Sequence, residues 1–302
     1  MSSTAIVLLL ISSFTHAGWN FISKREHPTL SFYLVSNIIG TLCVLPILYF
    51  YRSHTFLIPF NIWVYVTISG FCLAAYMASL AGAYRYGDLS IAYPIARSLP
   101  VIIVTAGAMI IDKDAPLRWP YFIGMILVAC GCFLLPLKTI WELNIKKFNS
   151  LSCLLSVLAA LFISGYTVLD HEALRCLREL PGGYFNPVNA TLIYMVLEAI
   201  TSSIWKLVLV IISRRERQNI KEVMRGFKVS ATLTGIGIYL TYGLVLASMN
   251  YVSNISYVAV FRQLSIPLGA LFGIILLKES RYPPKILGIV MIFSGLVFVG
   301  IG

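Results

Sequence analysis

The chain is 302 residues long, 59% hydrophobic and only 12% charged, with a mean hydropathy of +0.86, against the roughly 25% charged residues of soluble domains. That balance excludes a water-soluble globule, and ten apolar spans of about 20 residues would use roughly 200 residues, so a large extramembrane domain is excluded too. The net charge of +11, from 23 Lys+Arg against 12 Asp+Glu, therefore asks which face of a membrane the basic residues occupy, not whether the chain binds nucleic acid.

Ten apolar runs follow one another along the chain. Helix 1 is predicted over Thr4–Ile22; it lacks a basic leader and a small-residue cleavage site, which argues against a removed signal peptide. Its Ser12, His16, Trp19 and Asn20 recur at spacings of three and four and share one face. A polar stripe at that depth is expected to look into the protein rather than at lipid. Helices 2 and 3 are predicted over Thr29–Phe50 and Asn61–Tyr84.

Helix 4, over Asp88–Ile111, contains Tyr93, Pro94, Arg97 and Pro100. Arg97 sits about 13 Å deep at 1.5 Å per residue, where an arginine needs a cavity or a partner and so marks a candidate functional site. Helix 5, over Trp119–Leu137, carries Gly124 and Gly131. Helix 6 is predicted over Leu151–Val168, with Tyr166 turned toward a cavity and the following Asp170-His171-Glu172 read as a solvated boundary. In helix 7, Pro187–Ile212, Lys206 is long enough to snorkel to the basic face, whereas mid-helix Glu198 is not and becomes a candidate coupling or substrate residue.

Helix 8 is predicted over Val229–Ala247, helix 9 over Asn254–Leu277 and helix 10 over Pro284–Ile301. Helix 9 holds Tyr257, Arg262 and Pro267, then Gly269-Ala270-Leu271-Phe272-Gly273, whose small residues four apart favour close helix packing. Helix 10 carries Gly288 and Gly295, spaced like the pair in helix 5. The six cysteines show no metal-ligand spacing and read as small core hydrophobes. No metal or cofactor is expected.

Alternating helices place Arg52, Lys113, Arg118, Arg175 and Arg178 on one side of the membrane and fifteen other loop Lys and Arg residues, including those at 214–228, on the opposite side. The positive-inside rule makes the richer side cytoplasmic, with both termini outside.

The stretch from Gly87 to Ser98 reads like that from Ser253 to Gln263, and each copy is followed by a helix with two glycines seven residues apart. Five helices per copy is an odd number, so the second copy must run through the membrane upside down. The predicted fold is therefore an all-α membrane protein of ten transmembrane helices, arranged as two inverted five-helix repeats over 1–140 and 150–302. Arg97 and Arg262 then enter from opposite faces, with Tyr93 and Tyr257 close to them along their helices.

Four runs carry a family resemblance: Gly-Trp-Asn-Phe at 18–21, Gly-Asp-Leu-Ser through Tyr-Pro-Ile-Ala-Arg-Ser at 87–98, Gly-Tyr-Thr-Val-Leu-Asp at 165–170 and Ser-Tyr-Val-Ala to Arg at 256–262. With the helix order, they make the chain resemble the drug/metabolite transporter superfamily in its EamA-like branch. Where that family has Gly-Glu after helix 4, this chain has Asp112-Lys113-Asp114. The resemblance implies a central cavity between repeats and movement of a small metabolite, such as an amino acid or related carboxylate, frequently outward.

The resulting expectation is a multi-pass inner (plasma) membrane secondary transporter that works by alternating access and is not an enzyme. Arg97, Arg262, Tyr93, Tyr257, His16, Trp19, Asn20, Tyr166 and Glu198 are the candidate substrate-binding residues. Its partners are a small-molecule substrate and the lipid bilayer, without nucleic acid, and the chain is a monomer or else a dimer. The alternatives are a lipid-linked substrate flippase or an intramembrane enzyme with a laterally open polar cavity. A third, a membrane scaffold, gives no reason to bury two arginines at mirrored depths.

Overall fold

A computed structural model describes residues 2–24, 29–86, 89–111, 117–139, 151–225, 229–276, 278 and 280–301. Among them the secondary structure is helical, with no strand. The helices in chain order are α1 (Ser3–Lys24), α2 (Leu30–Val44), α3 (Pro46–Phe50), α4 (Arg52–Thr55), α5 (Phe60–Tyr86), α6 (Leu89–Ile111), α7 (Trp119–Leu134), α8 (Leu151–Arg178), α9 (Pro187–Ile212), α10 (Arg214–Arg225), α11 (Val229–Met249), α12 (Ser256–Phe261), α13 (Ser265–Leu276) and α14 (Pro283–Ile301). Asp112, Lys113, Asp114 and the side chain of Tyr93 lie outside the described residues.

Among the described residues, eight spans are long and apolar enough to cross a membrane. The stretches at predicted helices 4 and 5, Ile95–Ile110 and Trp119–Leu134, are apolar but shorter. Helix starts follow local chemistry. The Thr29 hydroxyl accepts from the Phe32 N–H at 3.2 Å to cap α2, and Asn186 and Asn189 form a reciprocal capping box ahead of Pro187 in α9. The αL glycines Gly182 and Gly183, at φ 96° and 63°, turn the chain between α8 and α9.

Four departures from the sequence reading have identifiable causes. Predicted helix 2 divides where Pro46 opens α3. Predicted helix 6 does not stop at Val168. It continues to Arg178, and its exposed end is supported by the Arg175–Glu172 ion pair at 2.6 Å. Residues 214–225, read as loop, form the exposed polar helix α10, fixed to the start of α2 by Glu216, which accepts from the Ser31 N–H at 2.9 Å and its hydroxyl at 2.8 Å. Cys43 and Cys130 are exposed rather than core residues, because they fall on outward helix faces where lipid would lie.

The chain divides into two compact units, each drawing on both halves of the sequence: one comprises Met1–Ser2, Tyr76–Ser164 and Val252–Gly302, the other Ser3–Ala75 and Gly165–Tyr251. In the first unit α7 and α14 run antiparallel and touch backbone to backbone at reciprocal glycines. A Cβ on Gly124 would lie 2.4 Å from the Gly295 carbonyl oxygen, and one on Gly295 would lie 2.6 Å from that of Gly124; Gly131 and Gly288 repeat the relation at 2.7 Å in both directions. Side chains shorter than a methyl are the condition for this approach. The Gly269 end of the GxxxG motif makes no such contact: nothing lies within 4 Å of its missing Cβ. The second unit packs α1, α2 and α9 around α11 and holds most of the buried polar side chains discussed below.

Candidate functional site

In the second unit, helices α5, α8, α9 and α11 bring Ser69, Asp170, Tyr194, Glu198 and Tyr242 into one cluster. Asp170, Glu198, Ser69 and Tyr194 are each 0% exposed. The Ser69 hydroxyl lies 2.5 Å from Asp170 Oδ1 and 2.8 Å from Glu198 Oε1. The Tyr194 hydroxyl donates to Asp170 Oδ1 at 2.9 Å. The Tyr242 hydroxyl is 2.5 Å from Asp170 Oδ2 and also contacts Glu198 Oε2. Two carboxyls are thus joined through two hydroxyls in a site without water access.

At 1.5 Å per residue the four helices put this cluster about 10–17 Å from their ends at residues 60, 178, 187 and 249, well inside a bilayer. Glu198 was recognisable from its depth. Asp170 was not, and its reading as a solvated boundary residue is corrected: the continued helix turns it inward onto Ser69, Tyr194 and Tyr242. Tyr166, one turn earlier on α8 and 2% exposed, sets its ring edge-on to Tyr242 with centroids 6.5 Å apart. The structure therefore brings Glu198 and Tyr166 together around a tyrosine the sequence did not single out.

A second buried polar row continues from Glu198 along α9. Ser202 and Lys206 follow at four-residue spacing on the same face. Lys206 does not snorkel to the surface: it is 2% exposed and its Nζ donates to Asn37 Oδ1 at 2.9 Å. Asn37 in turn donates to the Ser203 hydroxyl at 2.6 Å. The Thr41 hydroxyl lies 3.1 Å from both the Ser203 and Tyr239 hydroxyls and donates to the Asn37 carbonyl at 2.7 Å. The inward pull of Asn37 explains why the lysine stays inside, since the ammonium finds a partner there without crossing to the interface.

The polar stripe of α1 packs on α11 in the same unit. The Ser12 hydroxyl donates to the Thr241 carbonyl at 3.0 Å, and the Thr241 hydroxyl donates to that of Thr15 at 3.0 Å. Trp19, 7% exposed, covers Gly237, where a Cβ would fall 2.7 Å from the Trp19 Cβ. The His16 and Trp19 rings meet at a tilt of 52° with centroids 4.8 Å apart, and the Asn20 amide donates back to the His16 carbonyl at 3.0 Å. The Trp19 indole N–H is buried with no hydrogen-bond partner among the described residues, an unusual state for a buried donor. Nearby in this unit, a groove of about 420 Å³ is lined by Gly40, Leu192, Met195, Tyr239, Leu240 and Gly243 among others and is almost wholly apolar.

The first unit holds the arginine candidates. Arg97 lies half-buried on α6, next to Ser98, whose hydroxyl donates to the Ala129 carbonyl at 3.2 Å. Tyr257 packs edge-on against Tyr121 at 5.4 Å, and the Tyr121 hydroxyl lies 2.7 Å from the Thr105 hydroxyl and donates to the Ser256 carbonyl at 3.3 Å. Its ring therefore belongs to an aromatic contact that ties α12 to α7. At Arg262 the predicted helix 9 changes course: α12 ends at Phe261, residues Arg262–Leu264 form a single 3₁₀ turn, and α13 resumes at Ser265. Pro267 supplies the reason, because it has no N–H for the Gln263 carbonyl; the Ser265 N–H is directed at the Arg262 and Gln263 carbonyls instead.

Of the nine candidates, Arg97, Arg262, Tyr93 and Tyr257 fall in the first unit and His16, Trp19, Asn20, Tyr166 and Glu198 in the second. No curated protein matches the chain. One solved crystal structure shares its fold with a TM-score of 0.70 at 13% identity, covering 100% of this chain and 99% of that one. Residues 3–137 match the EamA-like transporter family. The segment with the Gly-Trp-Asn-Phe run, α6 and the first glycine pair therefore belongs to the EamA-like transporter family of the drug/metabolite transporter superfamily, and the chain is a multi-pass membrane protein.

Proposed function

We propose that the protein is a secondary transporter of the inner (plasma) membrane that exports a small metabolite, such as an amino acid or related carboxylate, by alternating access. The observation that carries this reading is the interruption of an apolar span at Arg262. Transporters place binding residues on broken helices, where freed backbone and a charged side chain line a polar path. The reciprocal glycine contacts of α7 and α14 support two inverted five-helix repeats, since corresponding positions 164 apart exchange roles across the seam. The unpartnered Trp19 indole N–H supports a substrate-facing role for the α1 stripe. Arg97 and Arg262 hold the anionic group, each offering a planar fork of donors to two carboxylate oxygens.

The test is binding of a panel of amino and other carboxylic acids to the purified protein, read by thermal stabilisation, followed by Arg97→Lys, Arg97→Gln and the same pair at Arg262. The lysine variants should fold normally and bind roughly 10- to 100-fold more weakly, the loss of one charge-assisted bond, and the glutamine variants should be weaker still. Unchanged affinity in well-folded glutamine variants at both positions would refute the assignment.

The same reading fixes orientation. In a background whose native cysteines are replaced, Gln218→Cys on exposed α10 should resist an impermeant thiol reagent in intact cells and label after lysis. Ready labelling of intact cells would place α10 and the basic loops outside.

A further inference from the structure

We propose that the Asp170–Glu198 pair is a proton-binding site, loaded and emptied with protons from water, and that this proton is the coupling ion; the coupling, though not the site, rests on the transporter reading above. The geometry counts hydrogens. Ser69, Tyr194 and Tyr242 supply three hydroxyl hydrogens to five close oxygen–oxygen contacts with the two carboxyls. One hydroxyl hydrogen makes one good hydrogen bond, so Ser69 and Tyr242 leave two of the five contacts without a hydroxyl hydrogen, and filling even one of them takes a proton on the pair. With the proton absent, two carboxylates would face each other through the same hydroxyls, fully buried, which like charges in a low-dielectric site resist strongly.

Among the described residues, the groups that face the pair are hydroxyls, a thiol and an amine. From α5 come Ser69 and the thiol of Cys72; from α9, Tyr194 and, two turns on, the Lys206 amine; from α11, Tyr242 and more remotely Tyr239; on α8 itself, His171 and Glu172 follow Asp170 in sequence, with Glu172 paired to Arg175. Among the described residues no three His, Cys, Asp or Glu side chains converge as metal ligands do. Lys206 is the independent element. It is a buried amine whose Nζ donates to the neutral Asn37, within electrostatic reach of Glu198, so loading and unloading the pair acts on a buried polar row rather than on an isolated acid. The step itself is simple: a proton leaves hydronium or water, bonds to a carboxylate oxygen of the pair, and returns to water on release, with no other bond made or broken.

The full-length protein in lipid nanodiscs, without substrate, is titrated over about pH 5 to 9, the range in which buried carboxyls are known to titrate, and followed by infrared difference spectroscopy in the carboxylic C=O region. The expected result is a carboxylic acid band that falls as pH rises, shifts in D₂O, and is lost in both Asp170→Asn and Glu198→Gln. Tyr242→Phe, which removes one bridging hydroxyl and keeps the ring, should move the midpoint of the same band by at least a factor of ten in proton concentration. It is the variant to rely on if either amide variant melts early. A band that ignores pH, that persists unchanged in both amide variants, or that responds to sodium at fixed pH would overturn the proposal. Because the band is read without substrate, a failed carboxylic-acid binding screen counts against the transporter reading and leaves the proton site standing.

Discussion

Replacing Gly124 with leucine is expected to abolish the folded protein. The first atom of any side chain there would lie 2.4 Å from the Gly295 carbonyl oxygen and 2.8 Å from the Val299 backbone N. Neither belongs to a flexible side chain, so relief requires α7 and α14 to separate along their length. Overpacking a core ordinarily costs 1–3 kcal/mol, and this clash with backbone should exceed about 3 kcal/mol, a large share of the roughly 5–15 kcal/mol that holds a typical domain together. Gly124→Leu, and Gly288→Leu on the partner helix, should yield little monodisperse protein in detergent, while Gly269→Leu, which meets open space, should purify and melt like the parent. Equal melting of all three would show that the glycine seam is not where the helices meet.

Asn37→Leu should produce the second large effect, through Lys206. Leucine is close to asparagine in size, so packing changes little, but the buried ammonium loses its hydrogen-bond partner at 2.9 Å. Stranding a buried charged donor costs on the order of 3 kcal/mol. The double variant Asn37→Leu with Lys206→Met removes donor and acceptor together and should recover most of the lost melting temperature, a coupling that a purely steric effect of leucine would not show. A single variant as stable as the parent would mean that Lys206 reaches water by another route.

The extent to which the sequence announced these features follows from the range of the interactions that create them. Apolar run lengths located the helices because lipid imposes them locally, and the glycines of α7 and α14 were visible because each helix carries a pair seven residues apart. The break at Arg262 was half-visible: Pro267 marks a lost backbone bond, but the 3₁₀ turn that absorbs it depends on how Ser265 answers. Asp170 was hidden by its neighbours. Followed immediately by His171 and Glu172, it looks like the start of a loop, whereas Ser69, 101 residues away, Tyr194, 24 residues away, and Tyr242, 72 residues away, hold it inside. Lys206 misled for the opposite reason. Its stem is long enough for the interface, and nothing near it in sequence indicates that Asn37, 169 residues earlier, holds it back.

The hydroxyl that Asp170 and Glu198 share on α11 also sets a condition on how the protein is made. A chain inserted from its N-terminus delivers Asp170 to the membrane 72 residues before Tyr242 and Glu198 44 residues before it. For that interval two acidic side chains that are costly in hydrocarbon have only part of their final hydrogen bonding. Synthesis arrested ahead of α11 should therefore leave α8 and α9 poorly retained in the bilayer and open to quality-control proteases, and completion of α11 is the event that commits these earlier helices to the membrane.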